Sequence, residues 1–594
     1  MYYDHFVIPF WIGVIFLFAT IVWKWGNWLV KLPRDDKMSI LHGFFSVATL
    51  KAVWEVIMES LVHRKIWKVN PLLGFMHMSL ALGWFLLIAV GWVEAAYVLG
   101  GGPLHAHVFF RFFDDTAHAG FNWFALVMDL LLLLVLTGVG LAWFKRARSR
   151  ALGMKKTTKH LAVDRVALAS LWCIFPLRLL AESFTAAMHH NGGFLTGSIG
   201  RLIESSMGAA AINDIGYIIW WAYSFALGVF FVAMPFSRYM HIFTEIPLIF
   251  LRRYKLRSGE EENSFDNFQI HSCSRCGICI DPCQLQKELG QNNVQSVYYL
   301  RDKRYNRLTD EVLDNCLMCG ACESKCPVGI ELNTLRLGGR AKRMDMPADT
   351  RYGYLKGLDR SEGRGKTGYF AGCMTLLTPA TPASMEKIFE AAGEDVWWAD
   401  RDGGVCCGRP LKLSGEVSAA RKIMKYNEDL FRWHNITTLI TSCPICLKVF
   451  REDYDMEGIE VLHHTEYIMR LVEEGKIHLT AGEGSFTYHD PCELGRGSGV
   501  YDQPRELLRR SGELREPEHH HADALCCGSS LANTAIADFA QEKIGTAMTV
   551  ELEATGAGTI VTSCPLCKKA IGRNTNIRVA DISQVIVDNL SANC

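Results

Sequence analysis

Five apolar runs dominate the first 255 residues, at roughly 6–24, 72–99, 121–144, 166–188 and 213–240. A helix crossing a hydrocarbon layer about 30 Å thick needs about 20 such residues. The pattern therefore predicts an all-α, five-helix transmembrane domain over residues 1–255. A shorter apolar stretch, residues 40–62, carries Lys51, Glu55 and Glu59 on one helical face. That suits a helix lying at the interface rather than a sixth crossing. No short apolar stretch with a small-residue cleavage site precedes the first run, so no removable leader is expected.

Beyond residue 365 the periodicity changes. Short apolar stretches such as TTLITS and GTIVTS read as strands, with helical patterns between them. The segments 365–480 and 484–594 repeat this layout, which predicts two related α/β domains. Residues 260–345 lie between membrane domain and repeats as a separate small module. A chain of 594 residues is too long for a single core, so a multidomain protein is expected.

Charge adds orientation. The formal net charge is zero, which offers no basic field for nucleic acid. Basic residues concentrate after the first run (Lys31 to Lys68), after the third (Lys145 to Lys159) and after the fifth (Arg252 to Arg257). The other two loops carry only Arg111 and Arg201. Positive segments stay cytoplasmic. The N-terminus is thus expected outside an inner (cell) membrane crossed several times, with everything past residue 250 in the cytoplasm. There the thiols are reduced, and cysteine groups read as metal ligands rather than disulfides. Eighteen of the twenty cysteines lie between Cys273 and Cys567. Cys173 and Cys594 have no partners at ligand spacing.

In the central module Cys273, Cys276, Cys279 and Cys283 form C-x2-C-x2-C-x3-C. Cys316, Cys319, Cys322 and Cys326 repeat it, followed by Pro327. Soft thiolates at this spacing wrap three cysteines around one iron–sulfur cube while the fourth reaches the other. One [4Fe–4S] cluster would take Cys273, Cys276, Cys279 and Cys326, the other Cys316, Cys319, Cys322 and Cys283. Gln284 stands where the second motif has proline. Zinc is the competing occupant.

Each α/β repeat holds five cysteines: Cys373, Cys406, Cys407, Cys443 and Cys446, then Cys492, Cys526, Cys527, Cys564 and Cys567. Gaps of 32 and 35 residues in the first become 33 and 36 in the second. Adjacent cysteines can bridge different iron atoms; a structural zinc in each repeat is the alternative. The layout resembles the paired cysteine-rich (CCG) domains of heterodisulfide reductase and its relatives, including the iron–sulfur subunit of glycolate oxidase. That resemblance covers about residues 265–594 and implies a noncubane [4Fe–4S] cluster on each set of five, as the catalytic centres.

His77 and His241 lie at similar cytoplasmic depth on different predicted helices, as a bis-histidine haem requires. Interfacial histidines that merely meet water are the alternative. PFSRYMHIFTEIPLIFLRRYKL resembles the last span of the nitrate reductase gamma subunit and related five-helix cytochromes b. The resemblance implies that His241 and His77 ligate haem b. The family's second haem would need histidines near Leu87 and Tyr223; His118, His189 and His190 offer a replacement pair. Glu94, Asp129, Arg178 and Glu182 lie in the outer half, where buried charge is expensive. An Asp129–Arg178 ion pair is one reading; a quinone site using Glu182, His189 and His190 is the other.

Five-span cytochrome b, ferredoxin and two CCG domains in one chain resemble membrane-bound heterodisulfide reductase with its subunits fused. The resemblance implies an oxidoreductase linking menaquinone, through haem b and [4Fe–4S] clusters, to a cytoplasmic disulfide or thiol. Two further readings share these parts. One takes electrons from electron-transfer flavoprotein to menaquinone; the other is a module of a larger sulfite-reduction-linked complex. EGRGKT at 362–367 mimics a phosphate loop but has Arg360 in place of its first glycine. No dinucleotide fingerprint is found.

Overall fold

The computed structural model describes residues 5–98, 109–110, 123–151, 160–259, 262–343, 366–401, 405–529 and 536–591. The predicted phosphate-loop mimic and His118 fall largely or wholly outside them. The chain divides into two compact units, Met1–Arg257 with Asn263–Cys276, and Ser258–Glu262 with Gly277–Cys594.

In the first unit five helices are long and apolar enough to cross a membrane: His5–Val30, Pro71–Ala96, Trp123–Arg148, Ala162–His189 and Ala209–Phe236. A helix satisfies its own backbone groups, so an apolar run can leave water whole. On the first helix Phe6, Phe10, Leu17 and Ile21 turn inward, while Ile12, Ile15, Phe18 and Trp23 are exposed. The first and fifth helices cross closely at Gly13, where a Cβ would lie 2.7 Å from the Gly228 Cα. Small residues at such crossings let backbones touch.

Two sequence expectations are corrected here. The apolar pattern carries the fifth run on to residue 240. The regular helix instead ends at Ala233, two short turns follow, and a new helix begins at His241 and runs to Arg253. Pro235 lies in the first of those turns, and proline lacks the N–H a continuing helix needs. The 40–62 stretch is not one helix: it takes in the end of Arg34–Phe44 and all of Val47–Leu61, a pair bent by 86°. Counting that pair as one broken span would bring the spans to six. Its three polar residues differ in burial. Glu59, in the wide turn Ile57–Leu61, is buried and accepts from Arg64 Nη2 (3.0 Å) and Lys65 N (3.1 Å). Glu55 pairs with Arg252 and Arg253, and Lys51 stays exposed.

The second unit contains two four-stranded parallel sheets. In the first repeat β1 (Thr367–Phe370), β2 (Val396–Trp398), β3 (Thr438–Thr441) and β4 (Glu460–His463) run in the order β2-β1-β3-β4. In the second, β5 (Ser485–His489), β6 (Glu513–Leu514), β7 (Thr559–Thr562) and β8 (Arg578–Asp581) give β6-β5-β7-β8. The two α/β expectations thus hold at the level of topology. Matched hydrogen bonds mark the repeat: Tyr369 with Ser442 (2.8 Å) and Tyr488 with Ser563 (3.2 Å). Parallel sheets place their loops at the carboxyl ends of the strands, where sites collect. Cys373 and Cys443 follow β1 and β3; Cys492 and Cys564 follow β5 and β7. One apolar core runs through both repeats and includes Cys407, Cys443, Cys446, Cys527, Cys564 and Cys567.

Candidate metal centres

In the first repeat the chain leaves β1 through Gly372, whose φ is +89°. A Cβ there would lie 3.0 Å from Cys443 Cβ and 3.1 Å from Cys446 Sγ, so glycine leaves that space to the sulfurs. Asp400, just past β2, accepts from Ala371 N (2.8 Å), Gly372 N (2.7 Å) and Trp398 Nε1 (2.9 Å). Burial pushes its carboxyl up to about 6. Asn427 Nδ2 and the Tyr454 hydroxyl donate to the carbonyls of Cys406 and Cys407, both at 2.9 Å. Cys443 and Cys446 open the helix Pro444–Glu452.

The five sulfurs meet in a line. Cys373 hydrogen-bonds Cys406, Cys406 hydrogen-bonds Cys407, Cys407 hydrogen-bonds Cys446, and Cys446 hydrogen-bonds Cys443. Donation from Cys406 and then Cys446 pulls the Cys407 thiol down to about 6.

The second repeat reproduces that line residue for residue: Cys492, Cys526, Cys527, Cys567, Cys564. The Cys527 and Cys567 sulfurs are 3.3 Å apart. Cys526 and then Cys567 hold the Cys527 thiol well below its ordinary range. Cys564 lies within electrostatic reach of Cys443, so the two lines approach each other at their ends. Among the described residues no three histidine, cysteine or acidic side chains close around a single point. The donor set, ten sulfurs in two matched lines, fits an iron–sulfur group in each repeat, and in the first Gly372 keeps space open beside Cys443 and Cys446.

Of the ferredoxin cysteines, Cys283, Cys316, Cys319 and Cys322 influence one another electrostatically, in keeping with one quartet. Burial pushes Cys283 up to about 12. Cys322 Sγ lies 3.2 Å from Ser296 Oγ. Donation from Cys526 pulls Cys319 down to about 6, against the effect of burial. Of the other predicted quartet, Cys273 and Cys276 belong to the first unit, Cys279 and Cys326 to the second.

In the first unit His241 Nδ1 donates to Arg238 O (2.8 Å). His77 feels His241 and also His63, whose ring centroid lies 5.5 Å from its own. Sequence reasoning missed His63. Its left-handed backbone (φ 59°) brings it back onto the second span, and no periodic pattern signals that. The imidazoles at this end fit a haem, with Nδ1 of His241 held by a backbone carbonyl.

The part of the helical unit around Asp129 and Arg178 differs from expectation. Asp129 does not pair with Arg178. It accepts from Leu195 N (2.7 Å), Thr196 N (3.0 Å) and Thr196 Oγ1 (2.9 Å), because the start of the helix Thr196–Ser206 offers unsatisfied N–H groups. Arg178 pairs instead with Glu182 one turn on (2.8 Å), beside the Tyr223 hydroxyl. His189 is half-buried; His190 is exposed, 3.8 Å from Glu204, and does not join that group. Phe6, Phe110, Trp220 and Tyr223 pack ring to ring, and Leu87 shares their core. A haem held at positions 87 and 223 does not fit that packing.

Fold and cysteine geometry together describe an iron–sulfur oxidoreductase. Comparison with known proteins agrees: a cysteine-rich domain family matches residues 367–451 and 486–572, and a 4Fe-4S dicluster domain family matches 269–330. The chain is 22% identical to EtfAB:quinone oxidoreductase of Syntrophomonas wolfei, covering 97% of this chain and 95% of that one. It is 25% identical to one polypeptide of the dihydromethanophenazine:CoB–CoM heterodisulfide reductase of Methanosarcina acetivorans, over 54% of this chain and 93% of that one. It is 24% identical to one polypeptide of the fumarate reductase (CoM/CoB) of Methanothermobacter marburgensis, over 52% and 68%. These relatives are iron–sulfur oxidoreductases.

Proposed function

We propose that the chain is a multi-pass membrane oxidoreductase that passes electrons between electron-transfer flavoprotein and menaquinone. The observation that carries this reading is the likeness to EtfAB:quinone oxidoreductase along 97% of the chain, membrane helices included. Haem b on His77 and His241, cubane clusters on the eight ferredoxin cysteines and noncubane clusters on the ten repeat cysteines would supply one-electron chemistry. The chain's own residues hold and space these groups. Glu182 with Arg178 offers buried polar groups for a quinone head, and the basic loops favour a cytoplasmic iron–sulfur unit.

A second reading, reduction of a cytoplasmic disulfide, is favoured by one feature. Two five-sulfur lines end near each other at Cys443 and Cys564, and the likeness to the Methanosarcina heterodisulfide reductase covers the half that carries them. The test is to mix the purified chain separately with reduced electron-transfer flavoprotein and with candidate disulfides, following Soret absorbance and menaquinone. Menaquinone reduction by the flavoprotein is expected. Disulfide turnover without any response to flavoprotein would replace the first reading by the second.

A further inference from the structure

The two repeats match closely, yet they differ where the second meets the ferredoxin. Arg496 lies four residues after Cys492; the same offset from Cys373 holds Leu377, which is exposed. Arg496 Nε donates to Cys319 O (2.7 Å), and Nη1 donates to Ala522 O (3.1 Å) and Ala524 O (2.7 Å). Its charge faces Cys319, Cys492 and Cys526. Nη2 is buried and has no hydrogen-bond partner among the described residues. An orphaned donor beside three sulfurs points to an acceptor that belongs to a cluster, since a buried donor left unmade is costly.

Gln284 completes the contact. Its side chain, 4% exposed, accepts from Cys526 N (2.7 Å) and donates to Cys526 O (3.2 Å). A proline, which follows the equivalent cysteine of the other motif, could make neither bond. The departure from the motif thus clamps the adjacent-cysteine loop onto the ferredoxin cysteines. Cys526 in turn hydrogen-bonds Cys319 directly.

We propose that Arg496 and Gln284 are positioning residues for an internal electron junction, confined to the second repeat. Gln284 fixes the Cys526 loop beside Cys319. With clusters bound, Arg496 Nη2 would donate to a cluster sulfur, and its positive charge would favour the reduced state of the centres on either side. One electron leaves one centre and arrives on the other; no bond breaks and no proton moves. The inference rests on the iron–sulfur reading of the ten repeat cysteines.

The test uses the full chain with wild type, R496Q, R496K and Q284L, measuring iron per chain and EPR-monitored redox titrations. With full iron, R496Q is expected to lower the midpoint of a centre flanking the junction by at least tenfold in the one-electron equilibrium, 59 mV. R496K should restore most of that shift. Q284L should weaken the magnetic interaction between the two centres by at least half. Full iron with an unchanged midpoint in R496Q overturns the proposal. Should R496Q lose iron, Q284L decides: full iron with unaltered interaction overturns it. Wild-type repeats that bind no iron would instead overturn the iron–sulfur reading itself.

Discussion

Asp164 and Arg275 form an ion pair in which both side chains are almost fully withdrawn from solvent. Asp164 sits near the start of the fourth long apolar helix, Ala162–His189, and Arg275 stands between Cys273 and Cys276. The same carboxylate accepts from Arg238 N at 2.8 Å, three residues before His241, and from Leu161 N at 2.9 Å. One acid therefore ties the first ferredoxin cysteines to the histidine end of the helical unit.

Removing that acid should be severe. Asp164→Ala removes the carboxylate from a buried ion pair, which costs about 3–5 kcal/mol. The expected outcome is a chain that loses iron from the Cys273–Cys276 motif while keeping iron in the repeats. Asp164→Asn retains an acceptor for Arg238 N and should lose less. Iron per chain and thermal unfolding check both; equal iron in all three proteins would show that the pair does not position the motif.

Much of this is legible in the sequence because the signals are covalent or periodic. Apolar runs mark the five helices, and cysteine spacing marks the ferredoxin and the repeat. Relationships between distant residues are not legible. Asp164 meets Arg275 across 111 positions, and Gln284 meets Cys526 across 242. The Asp129–Arg178 pairing fails because composition reveals a buried acid but not the helix start that takes its hydrogen bonds. His63 lacks any periodic context, and its approach to His77 depends on one left-handed residue.

Gly372 should be the most selective site in the first repeat. Its backbone conformation (φ 89°, ψ 142°) is one that side chains resist, at about 1–3 kcal/mol. A methyl group would also press on Cys443 and Cys446. Gly372→Ala is expected to lose iron from the first repeat and spare the second. EPR of the variant against wild type checks this; loss from both repeats together would show that they assemble as one unit.

Three imidazoles gather at one end of the helical unit, but a haem takes two. With haem b bound, His77→Ala and His241→Ala should each abolish the reduced α-band. His63→Phe should keep it, because ring packing on His77 survives the exchange. Loss of the band in His63→Phe, with the band kept in His241→Ala, would make His63 the ligand opposite His77.

Glu245 lies one turn after His241, and burial pushes its carboxyl up to about 7 despite Arg252 and Lys65 nearby. Below that pH it is neutral; above it, it carries a negative charge close to the histidine end. A negative charge favours the oxidised, more positive haem. The midpoint potential should therefore fall as pH rises through about 7, by at most about 59 mV per unit, the limit for one proton per electron. The fall should flatten once the carboxyl is fully ionised. Glu245→Gln removes the titrating group and should leave the potential flat over the same range. A haem potential that falls equally in wild type and Glu245→Gln would assign the proton to another group.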